Sequence, residues 1–213
     1  MNKMVNSSKF QFSASEIEER ILKSDEVRED ILKLARQTIK FAGQSIENFH
    51  RNNFEEAKEK LDKSKDTLNK ITNFLKEDQT AYSLGIINVA MQEYVEARLF
   101  FDIIEGRELS EVLELEVTDQ AYLLGIADLI GEIRRYSLEK LVEGNVTKAK
   151  YFYNIMKELY GTFLQIDFGK NLIPDLRRKK DTARVLVERT LSDLFVAQQS
   201  KNLEEKLEEK NNI

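Results

Sequence analysis

Apolar residues recur at intervals of three, four and seven along most of the chain, a pattern typical of helices with one buried face. The first stripe extends from about residue 15 to residue 50 and consists of Ile17, Ile21, Val27, Ile31, Leu34, Phe41 and Ile46. Ser13 or Ser15 is a suitable N-cap for this helix, so we predict that residues 1–14 form a flexible N-terminus. A turn at 51–53 precedes a second helix, whose apolar face comprises Phe54, Ala57, Leu61, Leu68, Ile71 and Leu75.

The later segments continue this helical pattern. We predict a third helix over 80–105, a short acidic segment over 111–116, a fifth segment from Thr118 or Asp119 to Gly144, a sixth over 145–165 and a last helix over 175–199. No segment alternates apolar and polar residues as a strand does. We therefore predict an all-α fold. It is a single-domain bundle of about six or seven long antiparallel helices over residues 15–200, followed by a polar C-terminal tail over 201–213.

A six-residue motif occurs twice in the two least charged of these segments. Residues 81–86 read AYSLGI and residues 121–126 read AYLLGI. Because glycine has no side chain, Gly85 and Gly125 would let two central helices approach each other closely. Duplication and chance both remain open as the origin of the match.

The composition narrows the chemistry. The chain has no cysteine, which excludes disulfide frameworks, thiol catalysis and cysteine-ligated metals. Its one histidine, His50, excludes a histidine-rich metal site within one chain. The net charge of −5 opposes a uniformly basic surface but permits a local basic patch. No apolar run is long enough to cross a membrane, and residues 1–13 lack the apolar core of a signal peptide, so we expect a cytoplasmic protein without membrane contact.

Four carboxylates lie where the helical pattern is otherwise apolar. Asp128 is the only charged residue between 121 and 131, and Glu132 follows it by about one helical turn. Glu93 and Glu96 directly follow the uncharged run 81–92. If the two helices pack together, the four carboxylates converge, and their mutual repulsion requires a cation.

Three interpretations of this cluster remain open. The first is a structural network of ion pairs with Arg98, Arg134 or Arg135. The second is a di-iron centre, which requires a Glu-x-x-His motif on two helices; neither Glu93 nor Glu96 has a histidine three residues on, and the single His50 cannot supply two. The third is an all-oxygen Mg²⁺ or Mn²⁺ site. Such a site suits phosphodiester hydrolysis, because the metal activates water and neutralises charge on the phosphate.

The last helix begins with a basic region. Six basic residues against two acidic ones lie between 177 and 189, namely Arg177, Arg178, Lys179, Lys180, Arg184 and Arg189. A helix of this kind is suited to contacts with a sugar–phosphate backbone. A solvated cationic face, or a salt-bridged contact between subunits, explains the region equally well.

Four segments resemble the translin/TRAX family in its short archaeal form. They are residues 92–97 (QEYVEA), residues 122–132 (YLLGIADLIGE), residues 176–181 (LRRKKD) and the pair His50-Arg51. The resemblance spans roughly residues 17–197. It implies an all-helical protein that assembles into a hollow octamer with nucleic acid inside. The chain lacks the long insertion that eukaryotic TRAX carries after the glutamate-bearing helix.

The resemblance favours one of the family's two kinds of subunit. TRAX-like subunits are Mg²⁺-dependent endoribonucleases, whereas translin-like subunits bind nucleic acid without that metal centre. The family's catalytic metal ligands fall on Glu93, Glu96 and Asp128, with Glu132 adjoining. The implied function is a Mg²⁺-dependent endoribonuclease, with Mn²⁺ as a substitute, in a homo-oligomer that prefers single-stranded RNA. The alternative is a non-catalytic protein that binds single-stranded RNA or DNA. The implied RNA contacts are His50, Arg51, Arg177, Arg178, Lys179, Lys180 and Arg184.

Overall fold

The computed structural model describes residues 7–77, 85–166 and 172–211, and within these ranges it contains seven helices and no strand. The helices are α1 (Ser7–His50), α2 (Phe54–Glu77), α3 (Gly85–Ile104), α4 (Val112–Leu115), α5 (Asp119–Val142), α6 (Val146–Gln165) and α7 (Leu176–Asn211). The all-α prediction is therefore confirmed. The predicted start of the third helix at residue 80 and the first four residues of the motif at 81–86 lie outside the described residues.

The six long helices form two groups of three that meet along one seam, and the four-residue α4 lies in the connection between α3 and α5. In the first group α1 packs on α2 and α3, and in the second α5 packs on α6 and α7. The contact between α3 and α5 joins the two groups. The two helices with long uncharged runs thus lie at the centre of the bundle. Among the helices described, none is long and apolar enough to cross a membrane.

The hairpins α1–α2 and α5–α6 are built alike. Each begins its second helix after a residue with positive φ, which is Asn52 at 59° in the first and Gly144 at 76° in the second. Across each hairpin a buried serine hydroxyl donates to an alanine carbonyl, Ser45 to Ala57 at 2.8 Å and Ser137 to Ala149 at 2.9 Å. These bonds satisfy buried polar groups and fix the two helices of each pair side by side.

Aromatic rings connect four helices through the core. Phe49 at the end of α1 meets Phe100 of α3 edge to face, with ring centroids 5.9 Å apart. Phe100 meets Tyr136 of α5 at 5.8 Å, and Tyr136 meets Phe152 of α6 at 4.8 Å, both edge to face. Edge-to-face pairs are favoured over sandwiched ones by the charge distribution of the rings. The row of rings fixes the end of α1 against α3 and α5.

Helix boundaries agree with the sequence pattern where a cap is present. Thr118 caps α5 by accepting a hydrogen bond from the amide of Ala121 at 3.2 Å, and Asn145 caps α6 by accepting from Lys148 at 2.9 Å. Both helices begin where the sequence pattern predicts. Caps of this type supply partners for amides that the helix itself leaves unsatisfied.

The N-terminal end is more helical than predicted, and the polar C-terminal tail extends the last helix. The prediction for residues 1–14 is a flexible segment, yet α1 begins at Ser7, and only residues 1–6 of that segment lie outside the described part. No glycine or proline precedes Ser13 to stop the helix. At the other end α7 continues past the expected limit near residue 199 to Asn211. Its last turns are rich in Leu, Glu and Lys, which favour helix.

Candidate functional site

The four carboxylates lie near the crossing of α3 and α5, and Gly125 makes this crossing close. A Cβ atom at Gly125 would lie 2.7 Å from Cγ1 of Val95 and 2.9 Å from the carbonyl oxygen of Gln92. Such distances are shorter than real Cβ contacts, so only glycine fits. Because Glu93 and Glu96 flank this contact on α3, the crossing brings them to the α5 carboxylates. The predicted role of a small residue is confirmed at Gly125 but not at Gly85, which has no heavy atom within 4 Å of an added Cβ.

Asp128 is half-buried and paired. Lys179 of α7 donates to its Oδ1, and the side-chain amide of Gln92 donates to its Oδ2 at 2.6 Å. Leu176, one turn before Lys179, is buried against Leu124, one turn before Asp128, so apolar packing brings the two charged groups together. The predicted cation partner is present, but it is a lysine that the family resemblance assigns to RNA.

Glu132 is also paired, through the ring of His50. Nε2 of His50 lies 2.8 Å from Oε2 of Glu132, and Nδ1 lies 2.9 Å from Oε2 of Glu139. Arg135 adds a longer contact of 3.7 Å to Glu132. His50, predicted to contact RNA, has a side chain only 2% exposed and both ring nitrogens engaged by carboxylates. In this chain it is a buried bridge rather than a surface ligand for phosphate.

Glu93 and Glu96 have no such partners. Among the described residues, neither carboxyl makes a hydrogen bond or an ion pair. Burial raises the pKa of Glu93, Asp128 and Glu132 raise it further, and Lys179 opposes the rise. Burial, followed by the charge of Glu93, holds the pKa of Glu96 well above its usual value. We call Asp128 and Glu132 the paired carboxylates, and Glu93 and Glu96 the unpaired carboxylates.

The arginines expected near the cluster are mostly engaged elsewhere. Arg98 binds Asp102 at 3.1 Å, and Arg134 binds Asp193 at 2.9 Å. Only Arg135 reaches a carboxylate of the cluster in the described part of the chain, and it does so at the long distance given above. In the described residues, the ion-pair network predicted as one interpretation therefore involves the paired carboxylates alone, with Arg135 as the one predicted partner and Lys179 and His50 as partners that were not predicted.

The predicted basic region divides into exposed and inward-turned residues. Arg177, Arg178 and Arg184 are exposed on α7. Lys179 turns to Asp128, and Lys180 donates to the carbonyl oxygen of Ile166 at the end of α6. At the far end of α1, exposed Arg51 pairs with Glu47 at 2.9 Å. The exposed arginines thus remain as the cationic surface beside the cluster.

Sequence reasoning missed Gln92 and Glu139 as partners in this site. Gln92 lies inside a segment that the family resemblance already covers. Glu139 lies seven residues after Glu132, two helical turns along the same face of α5. That spacing could have suggested that Glu132 and Glu139 share a partner. The partner cannot be identified as His50, however, until the end of α1 is known to lie beside α5.

The donor set fits a hard divalent cation, although it does not form a complete cage. All four candidate ligands are carboxylates, which suit Mg²⁺ and Mn²⁺. In the described part of the chain, no three acidic or histidine side chains already converge as a metal-binding group. Mg²⁺ in proteins is commonly held by one or two carboxylates together with waters and substrate phosphates. The unpaired carboxylates match that requirement, because they are two carboxyl groups that make no ion pair among the described residues.

Fold and site together define an all-helical protein with an acidic cluster at its central crossing and a cationic helix beside it. The chain belongs to the translin family, whose sequence model matches residues 16–190. An uncharacterized protein of Methanocaldococcus jannaschii is 30% identical over 188 residues, which cover 86% of this chain and 82% of that relative.

Solved structures with the same fold are also similar in sequence. The complex of AfC3PO with duplex RNA has a TM-score of 0.81 and 34% identity, over 88% of this chain and 97% of that chain. The crystal structure of AfC3PO alone has a TM-score of 0.81 and 35% identity, over 88% and 98% of the two chains. Apo-NeC3PO has a TM-score of 0.79 and 27% identity, over 92% and 100%. The chain therefore shares both its fold and part of its sequence with these solved structures.

Proposed function

We propose that this protein is a cytoplasmic, RNA-binding endoribonuclease that depends on Mg²⁺, with Mn²⁺ as a substitute. The observation that carries the proposal is the two unpaired carboxylates, half-buried Glu93 and buried Glu96, which lie at a helix crossing beside a cationic helix. Buried acids without a cation are costly to a folded protein. Sites that bind ligands are where such arrangements accumulate.

The cation would be held by Glu93, Glu96 and Asp128, with Glu132 adjoining. When bound, a divalent cation supplies a Lewis acid that lowers the pKa of coordinated water and neutralises charge on a phosphodiester. The chain's own contribution is to hold the carboxylates in register across the α3–α5 crossing. Lys179 keeps Asp128 oriented, since its ammonium group contacts one carboxylate oxygen while Gln92 contacts the other.

RNA would be held through its phosphates by the exposed arginines of α7. Arg177 and Arg184 make no ion pair within the described residues, so their charge is available to a ligand, and Arg178 makes only an exposed pair with Asp175 at 3.2 Å. The similarity to AfC3PO, which has been solved with duplex RNA, supports RNA as the ligand. Single-stranded RNA is the preferred substrate in our proposal, and single-stranded DNA is a second ligand to test.

We place the active form in a homo-oligomer, with an octamer as the expected size. Exposed apolar side chains support this, because surface patches of this kind commonly mark protein–protein contacts. Phe12 is 68% exposed and Ile21 61% exposed on α1, while Phe195 is 64% exposed on α7. Sedimentation velocity on the purified protein measures the size directly.

The nuclease proposal is tested by cleavage of end-labelled RNA. Single-stranded RNA, duplex RNA and single-stranded DNA are each incubated with Mg²⁺, with Mn²⁺ or with EDTA. We expect cleavage of RNA with either metal and none with EDTA. Glu96→Gln and Asp128→Asn should abolish cleavage but retain RNA binding. Glu158→Gln, which makes the same charge change at an exposed position on α6, should behave as wild type.

The same experiment distinguishes the nuclease from the alternative, a non-catalytic protein that binds single-stranded RNA or DNA. A non-catalytic binder would retain RNA or DNA, with affinity that falls steeply as salt increases, and would give no products with either metal. Cleavage that persists in Glu96→Gln and Asp128→Asn would remove these residues from the mechanism. Replacing Arg177 and Arg184 by glutamine should weaken binding. It should also lower the salt dependence by about one unit of slope for each phosphate that the variant no longer neutralises.

A further inference from the structure

His50 is held rigidly at the junction of three helices. It is the last residue of α1, and its ring stacks on Phe100 of α3 with centroids 5.2 Å apart and planes 27° apart. Tyr136 of α5 covers it from another side at 5.8 Å. With a side chain that is 2% exposed, the imidazole has little freedom to rotate. Packing therefore fixes the direction in which both ring nitrogens point.

The ring spans two carboxylates on one face of α5. Glu132 and Glu139 are two turns apart, and each places an oxygen within 2.9 Å of a different nitrogen of His50. An ionised carboxylate only accepts hydrogen bonds, so the two contacts together need one more proton than a neutral imidazole carries. Arg135 contacts the other oxygen of Glu139 at 3.5 Å, which holds Glu139 behind the ring. The result is a continuous hydrogen-bonded chain from Glu139 through His50 to Glu132.

Only one end of this hydrogen-bonded chain faces the acidic cluster. The charge of Glu132 raises the pKa of both Glu93 and Glu96, so its carboxylate lies within electrostatic reach of the unpaired carboxylates. Glu132 lies one turn after Asp128 on α5, whereas Glu139 lies two turns further from Asp128 along the same helix. If the hydrogen-bonded chain served only to connect α1 with α5, neither Glu132 nor Glu139 would need to lie near the cluster. The arrangement is that of an outer layer of hydrogen bonds that orients a ligand, which is common around metal sites.

We propose that His50, backed by Glu139, is a positioning residue that holds Glu132 in place and thereby sets the affinity of the acidic cluster for a divalent cation. This rests on the proposed function, since it takes the cluster to be a cation site. It assigns His50 a role different from RNA contact. Its ring is buried and engaged on both sides, so it acts through Glu132 and not on the substrate.

The test is Mn²⁺ binding to the RNA-free protein, followed by electron paramagnetic resonance titration. His50→Ala should lower Mn²⁺ affinity about 10- to 100-fold, the usual effect of removing an outer hydrogen-bond partner. Glu139→Gln should lower it in the same direction by less, because the amide oxygen still accepts from Nδ1. His50→Gln should recover part of the loss, since its amide can donate to Glu132. RNA binding in EDTA should stay unchanged in all three variants.

Glu143→Gln is the matched control. Glu143 lies one turn beyond Glu139, directly after α5, and pairs with Lys140 at 2.7 Å, not with His50. The Mn²⁺ affinity of this variant should equal that of wild type. A purely structural role for His50 would lower the urea midpoint without changing the Mn²⁺ affinity of the folded protein, and that result would overturn the inference.

The outcomes separate this inference from the proposed function. If wild type and Asp128→Asn bind Mn²⁺ equally poorly, there is no cation site and the proposed function fails. If wild type binds Mn²⁺, Asp128→Asn does not, and His50→Ala and Glu139→Gln bind as wild type, the cation site stands and the positioning role is refuted. Should His50→Ala fail to fold, Glu139→Gln alone decides, because it preserves the shape of every side chain in the hydrogen-bonded chain.

Discussion

The two pairs of carboxylates at the α3–α5 crossing have the same chemistry and opposite surroundings. Asp128 and Glu132 lie on α5, where Lys179 reaches in from α7 and His50 from the end of α1. Glu93 and Glu96 lie on α3, where the charges that act on them are mostly those of other carboxylates, with Lys179 as the one opposing cation in the described residues. The fold supplies partners to the acids on α5 and leaves those on α3 without an ion pair among the described residues.

This difference separates the acids of the cluster that the fold supplies with partners from those that have none among the described residues. In the sequence Asp128 is the most anomalous residue, since it interrupts an uncharged run, yet in the structure it has two partners. Glu96 lies in a less unusual sequence but is 7% exposed and has no partner among the described residues. Burial combined with missing partners, and not the sequence pattern alone, marks the group from which a site is to be inferred.

Disrupting the α3–α5 crossing should have the largest effect, because it would separate the paired carboxylates from the unpaired ones. Gly125→Ala forces a methyl group into Val95 and the backbone of Gln92, so α3 and α5 must move apart. We expect a loss of about 1–3 kcal/mol in unfolding free energy, typical of overpacking, together with loss of Mn²⁺ binding. Urea denaturation and Mn²⁺ titration measure the two effects. Gly85→Ala is the control and should cause no loss, because the space there is open.

Removing Lys179 should turn a paired carboxylate into an unpaired one. Lys179→Met leaves Asp128 with Gln92 as its remaining partner and takes away the cation that opposes the raised pKa of Glu93 and Glu96. We expect a loss of about 1–3 kcal/mol in urea denaturation at neutral pH without divalent cations. Adding Asp128→Asn should restore much of it. Strictly additive losses in this double-mutant cycle would mean that the two residues do not interact.

Replacing one of the unpaired carboxylates by a neutral amide should change the unfolding free energy in the opposite direction, toward greater stability. Glu96 has a pKa well above its usual 4.5, so its contribution to stability is full below pH 4.5 and is lost as pH rises through the folded-state pKa. Glu96→Gln should therefore be more stable than wild type at pH 7 and equal to it below pH 4.5. The gain should be smaller than the losses above, because wild type reduces the cost by binding a proton. Urea midpoints measured across this pH range test it, and a constant difference would contradict it.

The smallest effect is expected at Arg135, the exposed member of the paired side. Its contacts with Glu47, Glu132 and Glu139 range from 3.2 to 3.7 Å, and its side chain is 46% exposed. Arg135→Gln should cost less than about 1 kcal/mol. The cost should fade in about 1 M salt, where exposed charges are screened. A larger, salt-independent loss would show that Arg135, and not His50, is the main partner of the paired carboxylates.

Local patterns predicted the helices well and their ends less well. Thr118 and Asn145 were recognisable as caps because a cap acts within four residues of chain. Ser13 and Ser15 have the same side-chain chemistry as caps, but α1 runs through them from Ser7. A serine caps a helix only where the residues before it are not themselves helical. Nothing in the local sequence prevents the residues before Ser13 from being helical.

The carboxylates of the site could also be found from the sequence, but their partners could not. Glu93, Glu96, Asp128 and Glu132 stand out because charge is unexpected in an apolar helical run. Lys179 lies 51 residues from Asp128, and His50 lies 82 residues from Glu132. Which basic residue meets which acid depends on how α1 and α7 lie against α5. The sequence contains many basic residues that could pair with the cluster. Of the three arginines predicted as partners, Arg98 and Arg134 pair with other acids, and only Arg135 contacts Glu132.

By itself, then, the sequence determined the helical class, the buried character of α3 and α5, and the identity of the acids at their crossing. These follow from periodicity, composition and local capping, which act over a few turns of helix. Only the tertiary structure decided that Lys179 and His50 contact one pair of carboxylates, while the other pair makes no ion pair among the described residues. The physical reason is that an ion pair and the cost of burying a charge both depend on distances between helices, and those distances are set by packing such as the contact of Gly125 with Val95.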